Sequence, residues 1–369
     1  MTVPMSSPDI TQSEIDAVLE VLHTRHLSIG PRIFDFEREF APYIGTKHAI
    51  GVNSGTSGLH LAVIAAGVGA GDEVITSSFS FIASANVVLY ERAKPVFVDV
   101  DPLTGNLNPA LIESAITPRT KAILVVHAFG QPADMDAITA IAHRHHLPVI
   151  EDACEAIGAD YKGRRVGTMS ESAVYAFYPN KQMTTGEGGM IVTDNDGWND
   201  LFRSLRNQGR DVFDAWLNHS RLGYNYRLDE MSAALGLAQL RRIDELLAKR
   251  ARVAGWYNQR IDEIIGIDKP YIAPTTTRMS WFVYVVRCSE SVSRNDLMAY
   301  LSDQGIPSRP YFTPIHLQPL YASQFGWQRG DLPHTERAGD TFLALPFSSI
   351  MTEAQVDTVC QHLLHFTQP

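Results

Sequence analysis

The chain has 369 residues, with 31 Lys and Arg against 41 Asp and Glu, a formal net charge of −10. Hydrophobic residues make up 45% and charged residues 20%, the balance of a globular protein long enough for two domains and a core without covalent staples. The acidic balance excludes nucleic acid and an anionic membrane as main partners, since both select basic surfaces, but leaves room for a small anion in a local pocket.

Thr11 and Glu14 stand at capping-box spacing ahead of Ile15, Val18, Leu19 and Leu22, which predicts an N-terminal amphipathic helix. The opening MTVPMSSPDI has no basic stretch before an apolar core, so no signal peptide is expected. A second helix is predicted over Phe34–Tyr43. The chain then alternates: strand His48–Val52, helix Gly55–Ala66, strand Glu73–Thr76, helix Phe81–Tyr90, strand Pro95–Val100, and a helix that Asn108 and Pro109 cap and start. Lys121–His127 reads as a strand, Met135–His145 as a helix and Pro148–Glu151 as a strand. Strands alternating with ten-residue helices, in apolar runs such as AILVV and PVFV, predict a mostly parallel sheet covered on both faces.

Beyond residue 160 the rhythm changes. Ala173–Phe177 and Gly189–Thr193 read as strands around a Gly-rich segment. Leu228 to about Ile264 reads as long and helical, with a break near Gly255. TTTRMSWFVYVVRC reads as an alternating strand opening a new unit, with helices over Ser293–Gln304 and Glu353–Phe366. The expected architecture is α/β, with a large domain over residues 1–245 and a smaller C-terminal α+β domain over 246–369. No apolar run approaches the length of about 20 residues that a membrane span needs. Cys154, Cys288 and Cys360 are too scattered for a disulfide framework or a zinc site, so no metal is expected and a cytoplasmic location is.

Gly67-Val68-Gly69-Ala70-Gly71 follows a predicted helix and enters a strand, the reverse of a dinucleotide fingerprint, and reads as a turn. Asn53-Ser54-Gly55-Thr56-Ser57-Gly58 has the right context, a strand end opening a helix, where backbone N–H groups and the helix dipole favour an anion. An N-cap turn explains it equally. Asp152, in Glu151–Ala156, sits beyond a strand end, where open parallel sheets place ligands. It reads equally as a helix cap. Lys181, in FYPNKQMTTGEGG, lies between a strand end and a Gly-rich turn with aromatics close by. A desolvated lysine has a lowered pKa and forms imines with carbonyls. A lysine, a carboxylate and a helix N-terminus together are the parts of a pyridoxal 5′-phosphate (PLP) site.

At this point the chain resembles the DegT/DnrJ/EryC1/StrS family of PLP-dependent sugar aminotransferases, of PLP fold type I. The segments SIGPRIFDFEREF, GVNSGTSGLHLA, GDEVITSSFSFIASANVV, HAFGQPADMD, IEDACEAIGA, FYPNKQMTTGEGGMIVT, LRNQGR and LGYNYRLDEMSAALGLAQL follow in family order, and RPYFTPIHLQPLY and ALPFSS match further on. The resemblance implies a seven-stranded-type sheet and a homodimer with shared active sites. It implies that Lys181 carries the cofactor as an imine and that Asp152 pairs with the pyridine nitrogen. It implies that Gly55, Thr56 and Ser57 cradle the phosphate and that Phe81 stacks on the ring. Asn225 is implied to reach the phosphate in the neighbouring subunit. Two positions depart from the family. Glu155 stands near the cofactor's O3′ face, where many relatives have glutamine or histidine. Ala176 stands where many have a serine on the phosphate.

The reaction implied is ping-pong transfer of an amino group from L-glutamate to a nucleotide-linked keto-deoxysugar, with a pyridoxamine form between the halves. Rivals are a keto-inositol (cyclitol) aminotransferase, a PLP-dependent sugar dehydratase of the same fold and a cofactor-binding regulator without turnover. Dehydratase relatives carry histidine at the Lys181 position. The retained pair of Lys181 and Asp152 counts against the regulator. Arg309, Tyr311 and His316 are candidate substrate-lining residues, on a loop where binding and surface roles are equally common.

Overall fold

The structure, a computed structural model, describes residues 2–211 and 218–368. Helix α1 (Gln12–Thr24) starts as its capping box dictates, with Thr11 N donating to Glu14 Oε2 at 2.7 Å. Helix α2 (Pro31–Ile44) follows. Strand β1 (His48–Val52) leads into α3 (Gly55–Ala65), β2 (Glu73–Ser77) into α4 (Ala83–Tyr90), and β3 (Lys94–Val98) into α5 (Pro109–Ala115). Strand β4 (Thr120–Val126) leads into α6 (Met135–Arg144) and then β5 (Val149–Asp152). The short β6 (Asp160–Tyr161) and β7 (Arg164–Arg165) precede β8 (Ser172–Ala176), β9 (Gly189–Thr193) and α7 (Asp196–Arg206).

The large sheet has seven strands in the order β1-β9-β8-β5-β4-β2-β3. β9 runs against both of its neighbours, while β8, β5, β4, β2 and β3 are parallel in sequence across the sheet. This is the α/β class expected, and all four residues of the central β5 are buried, as a strand covered by helices on both faces requires. The parallel strands all end at one edge. That edge therefore collects the turn before α3, the Ser78–Phe81 loop, the residues after β4, Asp152 and the chain leaving β8. Two glycines let these segments close up. A Cβ on Gly189 would lie 2.7 Å from the Ser54 carbonyl carbon, and one on Gly55 would lie 2.7 Å from the Ala176 Cβ and 2.8 Å from Cys154 Sγ.

Helix α8 (Glu230–Arg241) and α9 (Ile243–Ile261) come next. The long helical stretch is therefore broken at Arg242, not near Gly255, which lies inside α9. A helix tolerates one glycine at about 1 kcal/mol, and Arg242 has a stronger reason to mark the bend. Its guanidinium bonds to Asp9, Glu14 and Glu245. The first turns of α9 pack Leu246 and Leu247 in a core with α2 and β8, and its later turns pack Val253, Tyr257 and Ile261 with the C-terminal elements.

Strands β10 (Ile267–Asp268), β12 (Tyr284–Cys288) and β13 (Phe342–Leu345) form a second sheet, joined by α10 (Arg294–Asp303), α11 (Pro319–Phe325), α12 (Pro333–Thr341) and α13 (Glu353–Thr367). Val3 is buried among these elements, and Phe347 N donates to Met5 O at 2.9 Å. So the first residues pack with the C-terminal unit, although the sequence division counted them with the large one. TTTRMSWFVYVVRC is likewise not one strand. Thr276–Arg278 (β11) pairs with β6 in a third, three-stranded sheet, and the segment between β11 and β12 crosses to the large sheet, with Ser280 N donating to Gly130 O and Phe282 N to Phe129 O. No helix of the described residues is long and apolar enough to cross a membrane.

Candidate active site

Asp152 ends β5 and is 6% exposed. Ser84 Oγ donates to its Oδ2 at 2.7 Å and Cys154 N to its Oδ1 at 3.2 Å. Ser84 has one hydroxyl hydrogen, so Ser80 Oγ, 2.8 Å away, is the donor to Ser84. The carboxylate is thus aimed by two donors. Sequence reasoning missed Ser84. Its only signal was its position three residues after Phe81, at the start of a helix.

Lys181 lies in the turn after β8, with its N–H on Tyr178 O at 2.9 Å. Its side chain is 14% exposed and its Nζ lies 3.8 Å from the centre of the Phe282 ring and 3.7 Å from Glu155 Oε1. Phe282 covers the lysine because the Ser280–Phe282 segment crosses back to Phe129 and Gly130. Arg250, on α9, ties the two sides. Its guanidinium, fully buried, donates to the carbonyls of Asn180, Lys181, Trp281 and Phe282 at 2.9–3.3 Å. Burial pulls its pKa down to about 10, still charged at neutral pH. Replacing Arg250 with methionine would keep the volume and leave these carbonyls without a donor. Each orphaned buried group costs about 1–3 kcal/mol, offset in part because a buried charge is also removed. A loss of about 2–4 kcal/mol is expected, read from the urea midpoint. An unchanged midpoint would mean that water replaces the guanidinium.

Glu155 is buried, and its Oε2 accepts from Phe129 N at 2.8 Å. Burial raises its pKa, against the opposing pull of Lys181 and the Phe129 N–H. Glu155 and Cys154 both feel the charges of Lys181 and Asp152, so the four groups converge at one edge of the sheet. Tyr311 joins them, its ring centre 6.3 Å from those of Phe129 and Phe282. Burial, reinforced by Glu155, pushes its hydroxyl up to about 12, against the lowering effect of Arg309. It therefore remains a neutral donor. Arg309 is exposed, and its backbone pairs with Ala344.

His316 does not offer its imidazole to this space. It is 0% exposed, with Nδ1 2.7 Å from Ser78 Oγ and Nε2 3.2 Å from Glu336 Oε1. Burial lowers its pKa, with Glu336 opposing. The expected lining role is corrected to that of a buried clasp between the Ser78 loop and α12. Its loop position gave no sign of this, because both partners are far away in sequence.

Ser54 caps α3 by accepting from Ser57 N at 3.0 Å, and Ser57 Oγ donates to Asn53 Oδ1 at 2.6 Å. Ser57 is thus engaged within the turn. The N–H groups of Gly55 and Thr56, the first two of the helix, have no acceptor inside it and are the open donors for an anion. Phe81 is 63% exposed, a free aromatic face one loop from Ser84. Asn225 is exposed, and its backbone pairs with Asn207. Ala176 offers no hydroxyl and packs beside Gly55. Among the described residues no group of three or more His, Cys, Asp or Glu is placed to hold a metal ion.

A buried amine, an anchored carboxylate and open helix amides are the donor set for a phosphorylated pyridine aldehyde, and the residues present fit PLP. Comparison with known proteins agrees. The family model described as the DegT/DnrJ/EryC1/StrS aminotransferase family matches residues 8–364. The chain is 46% identical over 361 residues to GDP-perosamine synthase of Caulobacter vibrioides, covering 97% of this chain and 96% of that protein. It is similar to the crystal structure of S. venezuelae DesV, with a TM-score of 0.94, 36% identity and coverage of 100% and 99%. It is also similar to the sugar aminotransferase Spr1654 of Streptococcus pneumoniae in its PLP form, with a TM-score of 0.94, 26% identity and the same coverage.

Proposed function

The chain belongs to the DegT/DnrJ/EryC1/StrS aminotransferase family, a PLP-dependent sugar aminotransferase, and from that premise we propose that it moves the amino group of L-glutamate to a nucleotide-linked keto-deoxysugar. The observation that carries this reading is the pair of Lys181 and Asp152 at one edge of the large sheet, the amine covered by Phe282 and the carboxylate aimed by Ser84. GDP-perosamine synthase, nearly half identical over almost the whole chain, supports the nucleotide-linked acceptor. Lysine at position 181 favours amino transfer over the dehydratase reading.

When bound, PLP supplies an electron sink for the bonds around the reacting carbon. The chain supplies the rest. With the cofactor bound, Lys181 would hold it covalently and, once freed by the donor's amine, would serve as the base that takes the proton from the donor α-carbon and the acid that delivers it to the former aldehyde carbon. Asp152 would pair with the ring nitrogen and favour its protonated form. The amides of Gly55 and Thr56 would hold the phosphate, Phe81 would stack on the ring, and Tyr311 and Arg309 would line the acceptor side. Asn225, exposed in the chain, would reach the phosphate in a second copy, which makes the working unit a homodimer, and we place that unit in the cytoplasm. Both half-reactions use one site, hence ping-pong kinetics.

The test separates the halves. L-Glutamate is expected to bleach the visible absorbance of the Lys181-linked cofactor and release one 2-oxoglutarate per site, and a nucleotide-linked keto-sugar to restore the band. Failure of glutamate to bleach would overturn the donor. Recovery with a keto-inositol and not with nucleotide sugars would shift the reading to the cyclitol class.

A further inference from the structure

We propose that Glu155 holds a proton against the nitrogen of Lys181, so that carboxyl and amine share one proton and Glu155 sets the charge of the cofactor-bearing nitrogen. This rests on the reading that Lys181 carries the cofactor.

The two carboxylates at this edge are held differently. Asp152 accepts from two donors, one on each oxygen. Glu155 accepts from the single backbone donor Phe129 N, on Oε2. That leaves Oε1 to carry a proton, and Oε1 is the atom facing Lys181 Nζ at 3.7 Å. The pair is shielded from water, with side-chain exposures of 8% and 14% and the Phe282 ring 3.8 Å from Nζ. Salt screens such a pair poorly.

The other titratable groups facing Glu155 are Asp152, Cys154 and Tyr311, with Arg309 acting on Tyr311. Burial raises both the Cys154 thiol and the Tyr311 hydroxyl, so neither exchanges a proton near neutral pH. The same burial raises Glu155, which brings its proton affinity toward that of a desolvated amine. The exchange is balanced: once Nζ closes from 3.7 Å to hydrogen-bonding distance, the proton leaves Oε1, the carboxyl becomes a carboxylate, and Nζ becomes its cationic form. No other bond changes. With the proton on Glu155, Lys181 is the neutral nucleophile that imine exchange requires.

Glu155→Gln isolates the proton. The amide oxygen still accepts from Phe129 N, but the ionisable group is gone. In the state with the proton on nitrogen Glu155 is a carboxylate, and an opposite charge within about 4–6 Å shifts a pKa by roughly 1–3 units, so removing the carboxylate lowers the pKa of the linked nitrogen. In a pH titration of holoenzyme absorbance, the Glu155→Gln midpoint is expected about one unit or more below wild type, with an unchanged thermal midpoint. An unmoved or raised midpoint, while Lys181→Ala lacks the titrating band, would overturn the proposal and leave the Lys181 reading standing. A Lys181→Ala variant that kept the band would overturn both. Should Glu155→Gln fail to load cofactor, amine acylation of the cofactor-free chain decides, read at the Lys181 peptide by mass spectrometry near pH 7.5. Modification about tenfold faster than wild type supports the shared proton, and an unchanged rate overturns it.

Discussion

Replacing Lys181 with alanine is expected to abolish covalent capture of the cofactor and to lower turnover at least about 10⁴-fold. The change removes both the nucleophile that carries the cofactor and the base that moves the α-proton, and general acid–base catalysis alone contributes about 10²–10⁴-fold. The fold should survive it. Beyond its backbone, Lys181 contributes a 3.7 Å contact with Glu155 and the packing of its amine on Phe282. Even a full cation over an aromatic ring is worth only about 0.5–2 kcal/mol, and relief of the amine's desolvation offsets part of that. The checks are visible absorbance after incubation with PLP, turnover, and the urea midpoint. A variant that kept the absorbance and turned over normally would move the chemistry away from this turn.

Asp152→Asn is expected to bind PLP through Lys181 and lose activity on the order of 100-fold or more. An oriented charge in a site closed to water is worth several kcal/mol to the transition state, and the amide is neutral. Its NH₂ must also face one of two existing donors. If it faces Ser84, the hydroxyl can turn to accept. If it faces the Cys154 amide, nothing can turn. The asparagine is therefore expected to place its oxygen toward Cys154 and reverse the chain from Ser80 through Ser84. Measured kcat within a few-fold of wild type would reduce Asp152 to a cap for the Cys154 backbone.

The alternation of strands and helices, and with it a mostly parallel sheet, was legible in the sequence because strands buried on both faces are continuous apolar runs; its seven strands were implied by the family resemblance. The strand-end positions of Lys181, Asp152 and the turn at Gly55 were legible from the alternating pattern, but pattern left Asp152 and that turn evenly divided between ligand and cap, and only the family resemblance assigned them roles. What was not legible acts over long separations. Arg250 is a charged residue in an amphipathic helix, indistinguishable by pattern from a solvated one, until the carbonyls of 180–181 and 281–282 surround it. Phe282 sits in a run that alternates like a strand, yet the loop at Phe129 and Gly130 recruits its backbone. Gly255 drew the helix break by composition, whereas the ion pairs of Arg242 decide where the helix bends. His316 shows the converse: a histidine on a loop in a matching motif, closed in by Ser78 and Glu336.

The cover over Lys181 has a consequence for how the molecule matures. Phe282 and Arg250 belong to chain synthesised after the strand, turn and lysine that they enclose. A nascent chain that ends before α9 has the lysine and Asp152 but nothing to shield the amine. Full cover of the amine therefore waits on α9 and the 280–282 segment. Because a ligand that binds only the finished state stabilises it by RT ln(1 + [L]/Kd), excess PLP during refolding pulls the population toward molecules whose C-terminal segment has closed over the lysine.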